Sequence, residues 1–288
     1  MSKNYIGTLV TIFLAFILAI TIFLVEDTPA IKYFPLDEEV SFQTMETNLQ
    51  LLTETDQDEY NVLWSSTSSL KEPIYLRQDV SLLYSDGRLK GILSKWKENE
   101  KHIQLQSKVH GEDSSHYQAI SFHHGEIHYP DEQIKSIQAM THDELYVIDS
   151  PHSALTSFNR PTNANQKDWK HTLDNATNQQ LNYHWKQLIQ HFSIPTDEYN
   201  FVPLTDLYQY QTKPIPELTQ AETNKVIGQL WEGLYKEYIL GISRNQQPVN
   251  SFVPLILFDK QGTHLMVLFQ DQAGEKRQLI QRYSFESL

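Results

Sequence analysis

Twenty consecutive residues, Ile6 to Val25, carry no charged side chain. Wound as a helix at about 1.5 Å per residue, the stretch is roughly 30 Å long, the thickness of a membrane's hydrocarbon core. A core helix of a soluble domain would keep a polar edge. Here the polar side chains are only Thr8, Thr11 and Thr21, whose hydroxyls can bond back to the helix's own carbonyls. A cleaved signal has a shorter apolar region and a small-x-small site, and the nearest candidate, Thr28-Pro29-Ala30, sets proline beside the cut. With no cysteine there is no lipobox. The sequence therefore predicts an uncleaved transmembrane signal-anchor over residues 1–25. Lys3 precedes it, and a short leading tail stays inside, so the C-terminal body is expected outside the cytoplasm as part of a single-pass membrane protein.

The formal charge is −13, and removing the +1 of Lys3, the sole charged side chain before Glu26, leaves −14 on the body. Such a balance offers no electrostatic footprint for nucleic acid. The absence of cysteine removes disulfides, thiolate catalysis and Cys-type zinc sites together. A cysteine-free exported body of this size fits a bacterial envelope better than a eukaryotic lumen.

Residues 26–59 are acidic and read as a stalk or leading helix, because Phe42, Met45, Leu49 and Leu52 fall on one helical stripe. From Tyr60 the pattern changes to period two, and residues 60–150 read as an antiparallel β meander. Asp86-Gly87 marks a tight hairpin, since both residues tolerate positive φ. Further turns are expected at Lys97–Glu100 and His124-Gly125, and a short helix at Asp131–Met140. Residues 151–288 read as an α+β subdomain. Thr177-x-x-Gln180 and Thr219-x-x-Glu222 are capping-box patterns that predict two central helices. Three strands, Phe252–Phe258, Thr263–Phe269 and Arg277–Tyr283, close the chain, the first two apolar on both faces and so covered on both sides. The expected class is α+β: an N-terminal transmembrane helix, the meander, two central helices and a C-terminal three-stranded antiparallel unit.

The densest polar cluster is His110, Glu112, Asp113, His116, His123, His124, Glu126 and His128. If the chain stayed extended through Gly125, His124, Glu126 and His128 would share one strand face and offer imidazole and carboxylate ligands to zinc, nickel or manganese. A hairpin at Gly125 scatters them, and that arrangement is the expectation, with the histidines exposed. No catalytic residue or cofactor is assigned: the sequence lacks a Gly-x-Ser-x-Gly elbow, a His-Glu-x-x-His helix and a glycine-rich phosphate loop. The expected role is a non-enzymatic, partner-binding or accessory one in the cell envelope, with the membrane contacted through Ile6–Val25 and a second envelope protein as partner. A ligand-binding or sensing module for metal or wall glycan is the alternative, and an envelope hydrolase the third reading.

Overall fold

The computed structural model describes residues 31–52, 59–150, 153–240, 251–271 and 273–285. The fold is built around one long strand, Tyr60–Ser85 (β2). A straight strand of this length would span roughly 85 Å. Instead a bulge at Leu70–Pro73 interrupts it, where the pairing jumps from Ser69↔His102 to Ile74↔Glu100. Pro73 has no N–H to give to a ladder, and the bulge is where such a residue is tolerated. Bulged strands bend, and β2 has different neighbours before and after the bend.

On one side Arg88–Gly111 (β3) follows β2 along both halves. On the other side Thr44–Leu52 (β1) pairs with Asn61–Ser69, while Ser115–His128 (β4) pairs with Leu76–Ser85. Ile134–Ser150 (β5) continues from β4, and Ser153–Phe158 (β6) from β5, all antiparallel. The sheet curls until β1 meets β5: the Leu49 amide donates to Asp143 Oδ2 at 2.8 Å, and the Thr47 and Thr141 hydroxyls lie 2.6 Å apart. The result is a nearly closed, barrel-like sheet. Tyr60, Val62, Trp64, Leu83, Tyr117 and Leu145 fill its interior.

The β2–β3 hairpin turns on Asp86 and Gly87, at φ 49° and 78°, with Ser85 paired to Arg88. Both central residues are left-handed, as a two-residue turn that matches strand twist requires. Leu181 packs against Gly87 so closely that a Cβ would lie 2.7 Å from its Cδ2.

Leu181 belongs to the helix Ala164–His191 (α1), whose buried residues Leu173, Thr177, Leu181, Trp185 and Leu188 form one stripe. Asn163 caps it by accepting from the Gln166 amide at 2.9 Å. The second helix, Gln220–Leu234 (α2), starts at the expected capping box: Thr219 Oγ1 accepts from the Glu222 amide, and Glu222 accepts from the Thr219 amide. It runs on into a wide π turn at Tyr235–Ile239. Trp231 of α2 stacks on Phe122 of β4 with ring centroids 4.9 Å apart.

A second antiparallel sheet has the order β10-β9-β8-β7, where β7 is Tyr199–Pro203, β8 Leu255–Asp259, β9 His264–Gln270 and β10 Lys276–Arg282. Its central strands β8 and β9 are buried on both faces, as their sequence implies. The two sheets meet at the β2–β3 hairpin, where the Leu89 amide donates to the Ser251 carbonyl and the Val253 amide to the Gly87 carbonyl.

These findings correct the expected α+β class. Strand takes 51% and helix 26% of the structure, so the molecule is mainly β. The leading helix at 42–52 is strand β1, because Thr47, Leu49 and Leu51 point inward with period two against Glu46, Asn48 and Gln50. The helix at Asp131–Met140 is a tight turn with Glu132 at φ 63°, followed by β5. Strand β3 continues through Lys97–Glu100 without a hairpin, although Asn99 is left-handed at φ 50°, and α1 runs straight through Thr177. The C-terminal sheet has a fourth strand, β7, beside the three expected. No helix among the described residues is long and apolar enough to cross a membrane, so the transmembrane helix drops out of the described fold. The expected anchor, Ile6–Val25, lies outside the described residues.

Candidate functional site

Strand β4 passes through Gly125 without turning, pairing it with Arg77 on one side and Ile137 on the other. The expected hairpin is therefore absent. Glycine is needed here for space, because a Cβ would collide with Ile74 Cδ1. His124, Glu126 and His128 do share one strand face, yet their surroundings differ. His124 is buried beneath α2, its pKa driven down to about 4 by desolvation. Glu126 and His128 pair near the surface, Oε2 to Nε2 at 3.4 Å, with His128 stacked on Tyr75. Among the described residues, the group of histidine and carboxylate donors that converges within 4.8 Å is Glu59, His110 and Glu112, all exposed.

The other face of β4 carries His123 into the barrel interior. Its Nδ1 lies 2.7 Å from Asp79 Oδ2 and its Nε2 2.9 Å from Thr141 Oγ1. Asp79 also accepts from Ser68 at 2.5 Å and faces Arg77 at 3.7 Å. Arg77, Asp79 and His123 are wholly buried. Charges so deep are tolerated only when paired and hydrogen-bonded. Phe42 covers the group, with Arg77 5.1 Å from its ring. This network holds the barrel together and opens to none of the cavities described below.

His116 occupies a different environment. A polar cleft of about 240 Å³ lies between strands β4 and β5, helix α1 and the 3-10 turn at Leu204–Gln211. Strand alternation puts His116 and Gln118 of β4 beside Glu144 and Tyr146 of β5, through the pairs His116↔Tyr146 and Gln118↔Glu144. Helical spacing brings Lys170, Asp174 and Thr177 of α1 over them, and the 3-10 turn supplies Asp206. Lys170 Nζ pairs with Asp174 at 3.0 Å and donates to the Tyr146 hydroxyl. That hydroxyl donates to Asp174 at 2.9 Å. Burial raises the Tyr146 pKa, and Glu144 and Asp174 raise it further. Glu144 is held below the usual carboxylate range by His116, against its own burial, with help from Lys170.

Three hydrogen-bonding atoms in this cleft lack a protein partner. His116 is 5% exposed and stacks on Tyr146 at 4.2 Å, but neither ring nitrogen makes a hydrogen bond. The nearest carboxylates stand 3.6 Å from Nδ1 (Asp174) and 3.9 Å from Nε2 (Glu144), beyond hydrogen-bond reach. Thr177 is 4% exposed and its hydroxyl is also unpartnered. Most buried polar groups in folded proteins are paired, so each exception needs an explanation; His124 beside Phe122 is another among the described residues. Asp206 accepts no hydrogen bond and pairs with no lysine or arginine among the described residues; burial raises its pKa, Glu144 adds to the rise, and His116 opposes it.

Of these residues the sequence singled out His116, in the polar cluster, and Thr177, as a helix cap, and did not link the two. Glu144-x-Tyr146 on one strand and Lys170-x-x-x-Asp174 on one helix have the spacing to share a face, but nothing local links the two pairs.

No protein-family model matches the chain. No curated protein matches it. Among solved structures, the solution structure of AT1g01470 from Arabidopsis thaliana is 13% identical over 44% of this chain and 94% of its own, with a TM-score of 0.26. A likeness at that level carries no argument.

Proposed function

We propose that the described body is a non-enzymatic recognition module of a bacterial cell envelope, working outside the cytoplasm and receiving a small polar ligand in the cleft at His116. The observation that carries the reading is the unpartnered His116 and Thr177, each more than nine-tenths buried and both lining one cleft. The remaining groups support holding over proton transfer. Lys170, Asp174 and Tyr146 satisfy one another, and the raised pKa of Tyr146 keeps it protonated. Among the described residues no hydroxyl is hydrogen-bonded to His116, so the cleft presents no base-activated nucleophile. The absence of cysteine and the acidic charge of the body support the proposed location. An accessory role toward an envelope protein, responding to the filled cleft, accords with this placement.

A thermal-shift screen of small polar compounds against the full chain tests the reading. A ligand that binds only the folded state raises the melting temperature by mass action. Asn178 lines the cleft and is exposed, so Asn178→Trp fills the mouth without disturbing the core. The expected result is a compound that stabilises the wild type and leaves Asn178→Trp unmoved. If every stabilising compound acts equally on both proteins, the cleft is not the receptor.

A further inference from the structure

Given that reading, the chemistry left open in the cleft defines what fits it. We propose that the ligand is a small polyhydroxylated primary amine, of the size of one amino-sugar ring, its ammonium on Asp206 and its hydroxyls on His116 and Thr177.

The argument starts from charge. Asp174 and Glu144 already face Lys170, at 3.0 and 4.0 Å. Asp206 is the lining carboxylate that faces neither lysine nor arginine among the described residues; it is part-buried, with Glu144 opposing its charge and His116 favouring it. A part-buried carboxylate that no lysine or arginine pairs disfavours an anionic ligand and favours a cation. A second anion would add to a repulsion that already disfavours ionised Asp206.

A metal ion is the first cation to weigh, and the geometry argues against it. Coordination needs donor atoms within about 2.0–2.6 Å of one centre. The His116 nitrogens face different carboxylates from opposite sides of the ring, and this cleft does not contribute to the converging donor group among the described residues. Donors that do not converge on one centre suit an organic molecule that carries several polar groups on one frame.

The neutral part of the ligand follows from the unpartnered atoms. An imidazole nitrogen donates or accepts according to its protonation, and a threonine hydroxyl does both. Hydroxyl groups match all of them without a further charge. A volume of about 240 Å³ falls below the range of drug-sized pockets, so the occupant is a single ring and not a chain of them.

Isothermal titration calorimetry on the full chain with D-glucosamine and with D-glucose tests the proposal, because the two differ only at the amine. Wild type is expected to bind glucosamine about tenfold or more tightly than glucose, the scale of one charge-assisted contact. Asp206→Asn is expected to erase that preference. This variant removes a repulsion with Glu144, so it should fold, and near-UV circular dichroism checks that it does. Thr177→Val is expected to weaken both sugars alike. Equal binding of both sugars to wild type overturns the amine while leaving the cleft a sugar receptor. An unchanged glucosamine affinity in Asp206→Asn overturns the assignment of the ammonium. If neither sugar binds, but another compound separates wild type from Asn178→Trp, the ligand class is wrong and the recognition module stands. If nothing separates them, both readings fall.

Discussion

Asp79 Oδ2 sits 2.7 Å from His123 Nδ1 on the neighbouring strand, and both side chains are inaccessible to solvent. The pair is cross-strand by register, Asp79 opposite His123. Arg77, two residues along β2, reaches the same carboxylate and also donates to the Lys101 carbonyl at 2.9 Å. The carboxylate is thus the counter-charge for a buried guanidinium. Asp79→Ala is expected to cost about 3–5 kcal/mol, since truncating one partner strands a buried charge. Urea denaturation measures this directly, and a loss under about 1 kcal/mol would show that the group is solvated and not sealed in the barrel.

His124 makes stability depend on pH. Desolvation lowers its pKa from 6.5 to about 4, outweighing Asp79, Glu232 and the Lys32 main chain, which favour the charged form; Arg77 opposes it too. Between those two values the unfolded chain takes up a proton that the folded chain refuses. Stability is therefore lost as pH falls through that window, by about 3 kcal/mol in total. Denaturation of wild type and His124→Leu at pH 6.5 and pH 4 should show a smaller loss in the variant. Identical losses would mean that His124 accepts its proton without leaving the fold.

Leu257 and Val267 are fully buried in the two central strands of the second sheet. Leu257→Ala is expected to cost about 2–5 kcal/mol through lost burial and the cavity left behind. A shift in the urea midpoint with unchanged slope would locate the effect in stability.

At the start of α2, Thr219→Ala removes the acceptor for the Glu222 amide and half of a reciprocal cap. The expected cost is about 1 kcal/mol. Thr219→Ser should restore most of it, which separates the hydroxyl's role from that of the methyl group.

What could be read from the sequence was local. Asp86-Gly87 declares its turn through backbone freedom, and Thr219-x-x-Glu222 declares its cap through paired donors and acceptors. The runs at 255–258 and 265–269 declare burial on both faces because they contain no polar residue. Strand β1 is illegible because Phe42, Met45, Leu49 and Leu52 fit a helical stripe by spacing, while its ladder partner, Asn61–Ser69, is a separate stretch of sequence. Gly125 resembled a turn and is instead a place where Ile74 needs room. The cleft was least legible of all. His116 and Asp206 are 90 residues apart, and only the curl of the first sheet and the placement of α1 bring them together.

The two-residue link between β2 and β3 has a consequence for how this molecule assembles. β2 and β3 zip from Asp86-Gly87 with almost no chain to close, whereas β1 first pairs with β2 across a longer separation, Leu52↔Asn61, and β4 across a much longer one, Ser85↔Tyr117. Closing longer loops costs more entropy and slows the rate of acquiring native pairing. The hairpin is the natural nucleus, with the barrel wrapping onto it afterwards. Gly87→Ala, which strains the turn and crowds Leu181, is accordingly expected to slow refolding in stopped-flow measurements far more than it hastens unfolding.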